Sequence, residues 1–369
     1  MNEQRIVVKI GSSSLTSEHG GLNREQVRFF AEELRTLRQA GYQIVLVTSG
    51  AVAAGFRQMG YEQRPKLLHE KQAAAAVGQA LLMQAYQEYL LPYGISAAQI
   101  LLTRQDFASR KRGHNAYMTI EELLKLGVIP IVNENDTVSI DELKFGDNDT
   151  LSALVANLVH ASQLIIVTDM DGLYTEDPRK NPHATRFDVI EQITDEIYSY
   201  AGGAGSAVGT GGMRSKLDAA RIAMRGGVKA FVGRIAEPHD LMKTVQGDGR
   251  GTYFETHQHG LPVKKQWLGF HSTPLGRVVV DEGAEQALLD RGSSLLPAGV
   301  KSIHGEFHPG DVVEVTNLRG EVLGRGIVNY DHEQLSQVAG LSTPDVLKRC
   351  EVSRIEVIHR DEWVTLRSL

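Results

Sequence analysis

Two lysines, a cluster of acidic and amide side chains and a glycine run are the residues in this chain whose types and spacing suit chemistry on phosphate. Lys9 lies inside an otherwise apolar strand-like run, VVKIG at residues 7–11, and is followed by Ser12, Ser13 and Ser14. A solvated lysine is out of place in a strand covered on both faces, whereas beside a Gly-Ser turn its charge can be aimed at phosphate oxygens. The alternative is an edge-strand lysine that deters aggregation. Lys216 stands one turn into a helical segment that follows the glycine-rich residues 202–212, with Met213, Leu217, Ala220 and Met224 as its apolar positions. Backbone N–H groups delivered by such a loop to a helix N-terminus make an anion site, although the same residues also read as a mobile surface loop with a solvated lysine. Asp147, Asn148 and Asp149 open another helical segment, where a cap needs one of them. Asn133, Glu134, Asn135 and Asp136 end a neighbouring strand. Together these side chains could hold a substrate ammonium group, orient the lysines, or bind magnesium through water.

Other chemistries find little support. The P-loop pattern GxxxxGK[ST] does not occur, and the first strand runs into Gly11 and three serines rather than into GxGxxG. Ser12, Ser13, Ser14 and Ser49 have no evident histidine partner for nucleophilic catalysis. His257 and His259 have a metal-like spacing but no acidic or cysteine neighbour, so they read as ordinary loop histidines. Cys350 is the single cysteine, which leaves no internal disulfide and no thiolate metal site and points to a reducing cytoplasm. The start, MNEQRIVVKIG, has no basic-then-apolar leader, and no apolar run approaches a membrane span, so neither secretion nor membrane insertion is expected. With 39 basic and 45 acidic residues the net charge is −6, the wrong sign for a protein devoted to coating nucleic acid.

The elements that must position these residues follow an α/β rhythm. At 369 residues, 42% hydrophobic and 23% charged, the chain has the composition of a globular protein of about two domains. Strand-like runs at 6–10, 44–47, 96–102, 129–132 and 164–167 alternate with helical patterns, which predicts a largely parallel sheet. Asn23 and Gln26 look like a capping pair for a helix that Gly41 stops, and a long alanine- and leucine-rich helix is expected over about 67–90. Four strand ends carry Gly-Ser, Thr-Ser-Gly, Asn-Glu-Asn-Asp and Thr-Asp. Ligands of open α/β sheets bind at such carboxyl ends, so the four are candidates for one shared site. Beyond about residue 255 periodicity fades, and short strands with glycine-rich turns follow, a small β-rich domain. Residues 275–369 hold 10 basic and 15 acidic side chains, so most of the negative charge sits there.

These motifs resemble the amino-acid kinase family, and within it the members that phosphorylate glutamate at the head of proline biosynthesis. The likeness rests on VVKIGSSSLT at 7–16, VTSGAVAAG at 47–55, IVNENDTV at 131–138, FGDNDTLSALVA at 145–156, TDMDGLYTEDP at 168–178 and GTGGMRSKLDAA at 209–220. The tail from 280 to 311 is similar to a PUA domain. The resemblance implies a three-layer α/β sandwich with a mostly parallel central sheet over residues 1–256, a linker at 257–274 and a small β-rich PUA domain at 275–369. It implies transfer of the ATP γ-phosphoryl group, with Mg²⁺, to the side-chain carboxylate of L-glutamate. By the same resemblance Lys9, Lys216 and Asp149 are catalytic, and Ser49, Asp136 and Asn148 bind glutamate. The nucleotide would meet Lys9, Gly11, Thr168, Asp169, Thr210, Gly211, Gly212, Met213 and Lys216, and no protein metal ligand is assigned. A cytoplasmic homo-oligomer, dimer or tetramer, is expected, with proline as feedback inhibitor acting around residues 58–72 and 136–147. The continuation of the strand at 228–233 as Arg234, Ile235, Ala236, Glu237 and Pro238 departs from the small turn common in the family. Two other readings stand beside this one: RNA binding or modification through the tail, and a related kinase with a different acceptor.

Overall fold

The computed structural model describes residues 4–17, 21–139, 148–201, 212–256, 268–269, 272, 274–349 and 354–366. The chain forms two compact units, Met1–Asp106 with Lys111–Gly260, and Phe107–Arg110 with Leu261–Leu369.

The first unit is built on an eight-stranded sheet. Its strands are β1 (Arg5–Ile10), β2 (Gln43–Thr48), β3 (Ala97–Leu102), β4 (Ile129–Glu134), β5 (Gln163–Val167), β6 (Val189–Ile190), β7 (Lys229–Gly233) and β8 (Gly251–Phe254), in the spatial order β3-β4-β2-β1-β5-β7-β8-β6. Every pair is parallel except β7 with β8. β1 is therefore central, flanked by β2 and β5, and the edge-strand reading of Lys9 falls away. Side chains alternate across a strand, so Ile6, Val8 and Ile10 enter one face while Val7 and Lys9 enter the other. The first set joins a core with helices α2 (Arg24–Gln39), α4 (Leu68–Leu90) and α10 (Asp240–Gln246). On the face that takes Lys9 lie α7 (Asn148–Leu158) and α9 (Met213–Arg225), which pack on each other as well as on the sheet.

Local sequence accounts for these elements. Asn23 caps α2 by accepting the Gln26 N–H at 3.2 Å, while Phe30, Leu34 and Leu37 recur on its buried stripe. Glu33, on the same helix and almost fully buried, accepts the backbone N–H groups of His239 at 2.7 Å and Leu241 at 2.9 Å, which ties α2 to the start of α10. The short helices α1 (Ser12–Leu15) and α3 (Ala51–Gly55) turn the chain after β1 and β2. Gly50 begins α3 at φ +94°, a conformation that favours glycine. Gly55 and Gly78 let α3 and α4 touch backbone to backbone: a Cβ on Gly78 would lie 1.8 Å from the Ala51 carbonyl oxygen.

The second unit carries a five-stranded sheet, β9 (Gly276–Val280), β10 (Val300–Gly305), β11 (Val312–Thr316), β12 (Val322–Val328) and β13 (Ile358–Thr365), in the order β10-β9-β11-β12-β13. Among the described residues three short α-helices accompany it, and its separate core includes Val278, Val313, Val315, Tyr330 and Trp363. Cys350, His257 and His259 lie outside the described residues. No described helix is long and apolar enough to cross a membrane.

Candidate active site

Strand register brings the polar strand ends to one rim. Ile10 of β1 pairs with Thr48 of β2 and with Val167 of β5, and Val167 pairs with Gly233 of β7. The residues that follow, Gly11, Ser49, Thr168 and Arg234, thus leave the sheet side by side, at the point where the chain changes its direction of strand addition. Asn133 and Glu134 finish β4 beyond β2.

Behind this rim Lys9, Asp149 and Lys216 converge from three elements. Lys9 Nζ forms an ion pair with Asp149 Oδ1, and Lys216 Nζ lies 3.1 Å from Asp149 Oδ2. All three are buried, at 5%, 0% and 7% exposure, so the cluster is a fixed device with one net positive charge rather than a solvated ion pair. Burial would push the Asp149 carboxyl up, but Lys9, Lys216 and the Ser215 hydroxyl outweigh it and hold it below the usual carboxylate range. Asp149 also stands in the first turn of α7, where the helix dipole favours a negative charge. Gly11 leaves room in front of the Lys9 ammonium: a Cβ there would come within 3.6 Å of Nζ. Among the described residues, nothing lies within 4 Å of where a Cβ on Gly212, at the N-cap of α9, would stand.

Asn148 adjoins the cluster. Its amide donates to the Thr48 carbonyl and, at 2.7 Å, to Asn133 Oδ1. Both amide protons are used in this way, so the Oδ1 acceptor is the part of Asn148 left to meet a ligand, as suits an ammonium group. Asn133 is held in turn, accepting the Glu134 N–H at 2.9 Å and donating to Gln79 Oε1 at 2.8 Å. Gln79 Nε2 continues the line to Gln99 at 3.1 Å. Nothing in the sequence marked Gln79 or Gln99 as part of this network, although a lone glutamine within AAAAVGQALL is the kind of residue that needs a buried partner. Ser215 donates to Asp149 Oδ2 at 2.9 Å, a contact that its place in GTGGMRSKLDAA does not by itself reveal.

The remaining candidates take their places on the same rim or lie outside the described residues. Ser49 is half-buried after β2, and Asp136 is half-buried in the turn after β4. Thr168 and Asp169 follow β5 and bond to each other at 3.1 Å, while the Thr168 N–H reaches the Gly233 carbonyl at 3.0 Å. Gly212 and Met213 begin α9. Asp147, Thr210 and Gly211 fall outside the described residues. Of the two segments expected to meet proline, Gln72 from the first donates to the Ser139 carbonyl of the second at 3.2 Å. No set of three acidic, histidine or cysteine side chains able to hold a metal occurs among the described residues.

The mostly parallel sheet thus carries a buried Lys–Asp–Lys cluster at the carboxyl end of its central strand, an arrangement chemically suited to stabilising a phosphoryl group. Residues 4–234 match the amino acid kinase family and residues 276–348 the PUA domain, and the chain belongs to the amino acid kinase family. It is 51% identical over 368 residues to the glutamate 5-kinase of Geobacillus kaustophilus, a likeness covering 100% of this chain and 98% of that one. The glutamate 5-kinase of Bacillus cereus is 49% identical over 367 residues, covering 99% of this chain and 100% of its own length. Among solved structures, the carbamate kinase of Giardia lamblia bound to AMP-PNP shares the fold at TM-score 0.50 and 18% identity, over 69% of this chain and 99% of that one.

Proposed function

We propose that this chain transfers the γ-phosphoryl group of ATP to the side-chain carboxylate of L-glutamate, giving L-glutamyl 5-phosphate and ADP, the first step of proline biosynthesis. The observation that carries the reading is the buried Lys9–Asp149–Lys216 cluster, set in a chain alike over its whole length to glutamate 5-kinases. A glutamate side chain with a pKa of about 4.3 is already ionised at neutral pH, so the attack needs no general base. What opposes it is repulsion between that carboxylate and the triphosphate. Lys9 and Lys216 supply positive charge where the phosphoryl group passes, and Asp149 fixes the distance between them. Gly11, Thr168, Asp169, Thr210, Gly211, Gly212 and Met213 would receive the nucleotide beside the two lysines. Ser49, Asp136 and Asn148 would hold glutamate, with Asn148 Oδ1 accepting from its ammonium group.

Both oxygens of Asp149 are engaged by cations. Mg²⁺ would be carried on the ATP phosphates and would relieve their charge. Residues 1–256 would form the catalytic domain, 257–274 a linker and 275–369 the PUA domain. We further propose a cytoplasmic homo-oligomer, dimer or tetramer, inhibited by proline near the glutamate site, where the Gln72–Ser139 hydrogen bond joins the two segments at which proline would act. The test is ADP release by the full chain with Mg²⁺ and ATP: glutamate supports turnover if the reading holds. Turnover with N-acetylglutamate or carbamate but not glutamate would overturn the choice of acceptor, and proline titrated against glutamate reads the inhibition.

A further inference from the structure

Ser215 has one hydroxyl proton and two acceptors within reach, Asp149 Oδ2 at 2.9 Å and the Gly212 carbonyl at 2.8 Å. That carbonyl is already served, because the Ser215 backbone N–H donates to it at 3.2 Å. The hydroxyl is therefore not needed to cap α9 and is available to the carboxylate. Asp149 needs such a donor for a specific reason. Its Oδ2 is also held by Lys216, and during phosphoryl transfer the Lys216 ammonium is required by the transferring group as well. The Ser215 hydroxyl is a donor to Oδ2 that does not have to leave for the phosphoryl oxygens.

We infer that Ser215 is a positioning residue: its hydroxyl holds Asp149 Oδ2 in place while the Lys216 ammonium turns to the phosphoryl group. The role rests on the phosphotransfer reading and deepens it. A neutral donor suits the task, since it satisfies a lone pair of Oδ2 without adding a third cation that would bind phosphate by itself. The charged groups named against Asp149 are Lys9 from β1 and Lys216 from α9, and Ser215 is an uncharged donor beside them.

The experiment compares wild type, Ser215→Ala and Ser215→Thr as full-length chains in the ADP assay across pH, with thermal melts beside it. Ser215→Ala should lower kcat about tenfold, the size expected for a hydrogen bond to a charged group. The KM for glutamate should stay within about twofold, and the acid limb of the kcat profile should move to higher pH, because a carboxylate that loses a donor is easier to protonate. Ser215→Thr, which keeps the hydroxyl, should restore both. A wild-type kcat and acid limb in Ser215→Ala would overturn the role, as would a Ser215→Thr chain equally impaired. A change confined to the melting temperature would reduce Ser215 to a structural cap and overturn it too. If wild type does not turn glutamate over, the functional reading fails and this role with it. Glutamate turnover that Ser215→Ala leaves unchanged refutes this role alone.

Discussion

Removing each member of the charged cluster should have a different cost, because the two cations share one anion. Lys216→Ala leaves a balanced Lys9–Asp149 pair, so folding should survive while kcat falls about 10² to 10³-fold, the typical loss for one transition-state donor. Near-normal turnover in Lys216→Ala would remove that residue from the phosphoryl site. Asp149→Asn instead leaves two buried ammonium groups without a counter-charge and should cost about 3–5 kcal/mol of stability in a urea melt. The pH dependence follows from the depressed native pKa of Asp149. Its stabilising contribution is fully present above the unfolded value of about 3.9 and is lost as pH falls through the lower native value. Wild type and Asp149→Asn should therefore converge in stability only below about pH 4, and a stability gap that closed between pH 7 and 5 would show that another group is responsible. Lys9 was legible in the sequence because a charge in an apolar strand is conspicuous. Gln79 and Gln99 were not, since a glutamine in a helix or strand has no local signature of the partner it meets across the fold.

At the scale of elements, the strands and long helices could be read because their apolar residues recur at the right period. β1, β2, β4, β5, α2 and α4 all lie within two residues of the ranges expected from the sequence. The five-residue helix α3 is too short to show a period, and the contact that fixes it is purely tertiary. Gly55 lies against the backbone of Ala74 and Gly78, so α3 has no freedom to shift along α4. Because α3 directly follows Thr48, Ser49 and Gly50, this contact also sets the height of the rim on which the proposed glutamate ligand Ser49 stands. Gly78→Ala should cost about 1–3 kcal/mol through overpacking and should raise the KM for glutamate more than that for ATP. Melting temperature and both KM values check this, and a chain unchanged in all of them would mean that α3 is not fixed by α4.

For the whole molecule, the uneven charge separates the competing readings. The net −5 of residues 275–369 opposes the phosphate-driven binding on which nucleic-acid affinity largely depends. A tRNA gel-shift series at near-physiological salt should show no retardation at submicromolar protein, and salt-dependent retardation there would restore the RNA reading. Residues 1–274, at net −1, gather two lysines and one aspartate behind a rim of backbone and amide groups, an arrangement suited to bringing two anions together. One of those anions is a glutamate side chain. The most direct test supplies the full chain with Mg²⁺, ATP, L-glutamate and hydroxylamine and measures hydroxamate beside ADP. Formation of γ-glutamyl hydroxamate, dependent on both ATP and glutamate, is the predicted result. ADP released with a different acceptor, and no hydroxamate from glutamate, would contradict it.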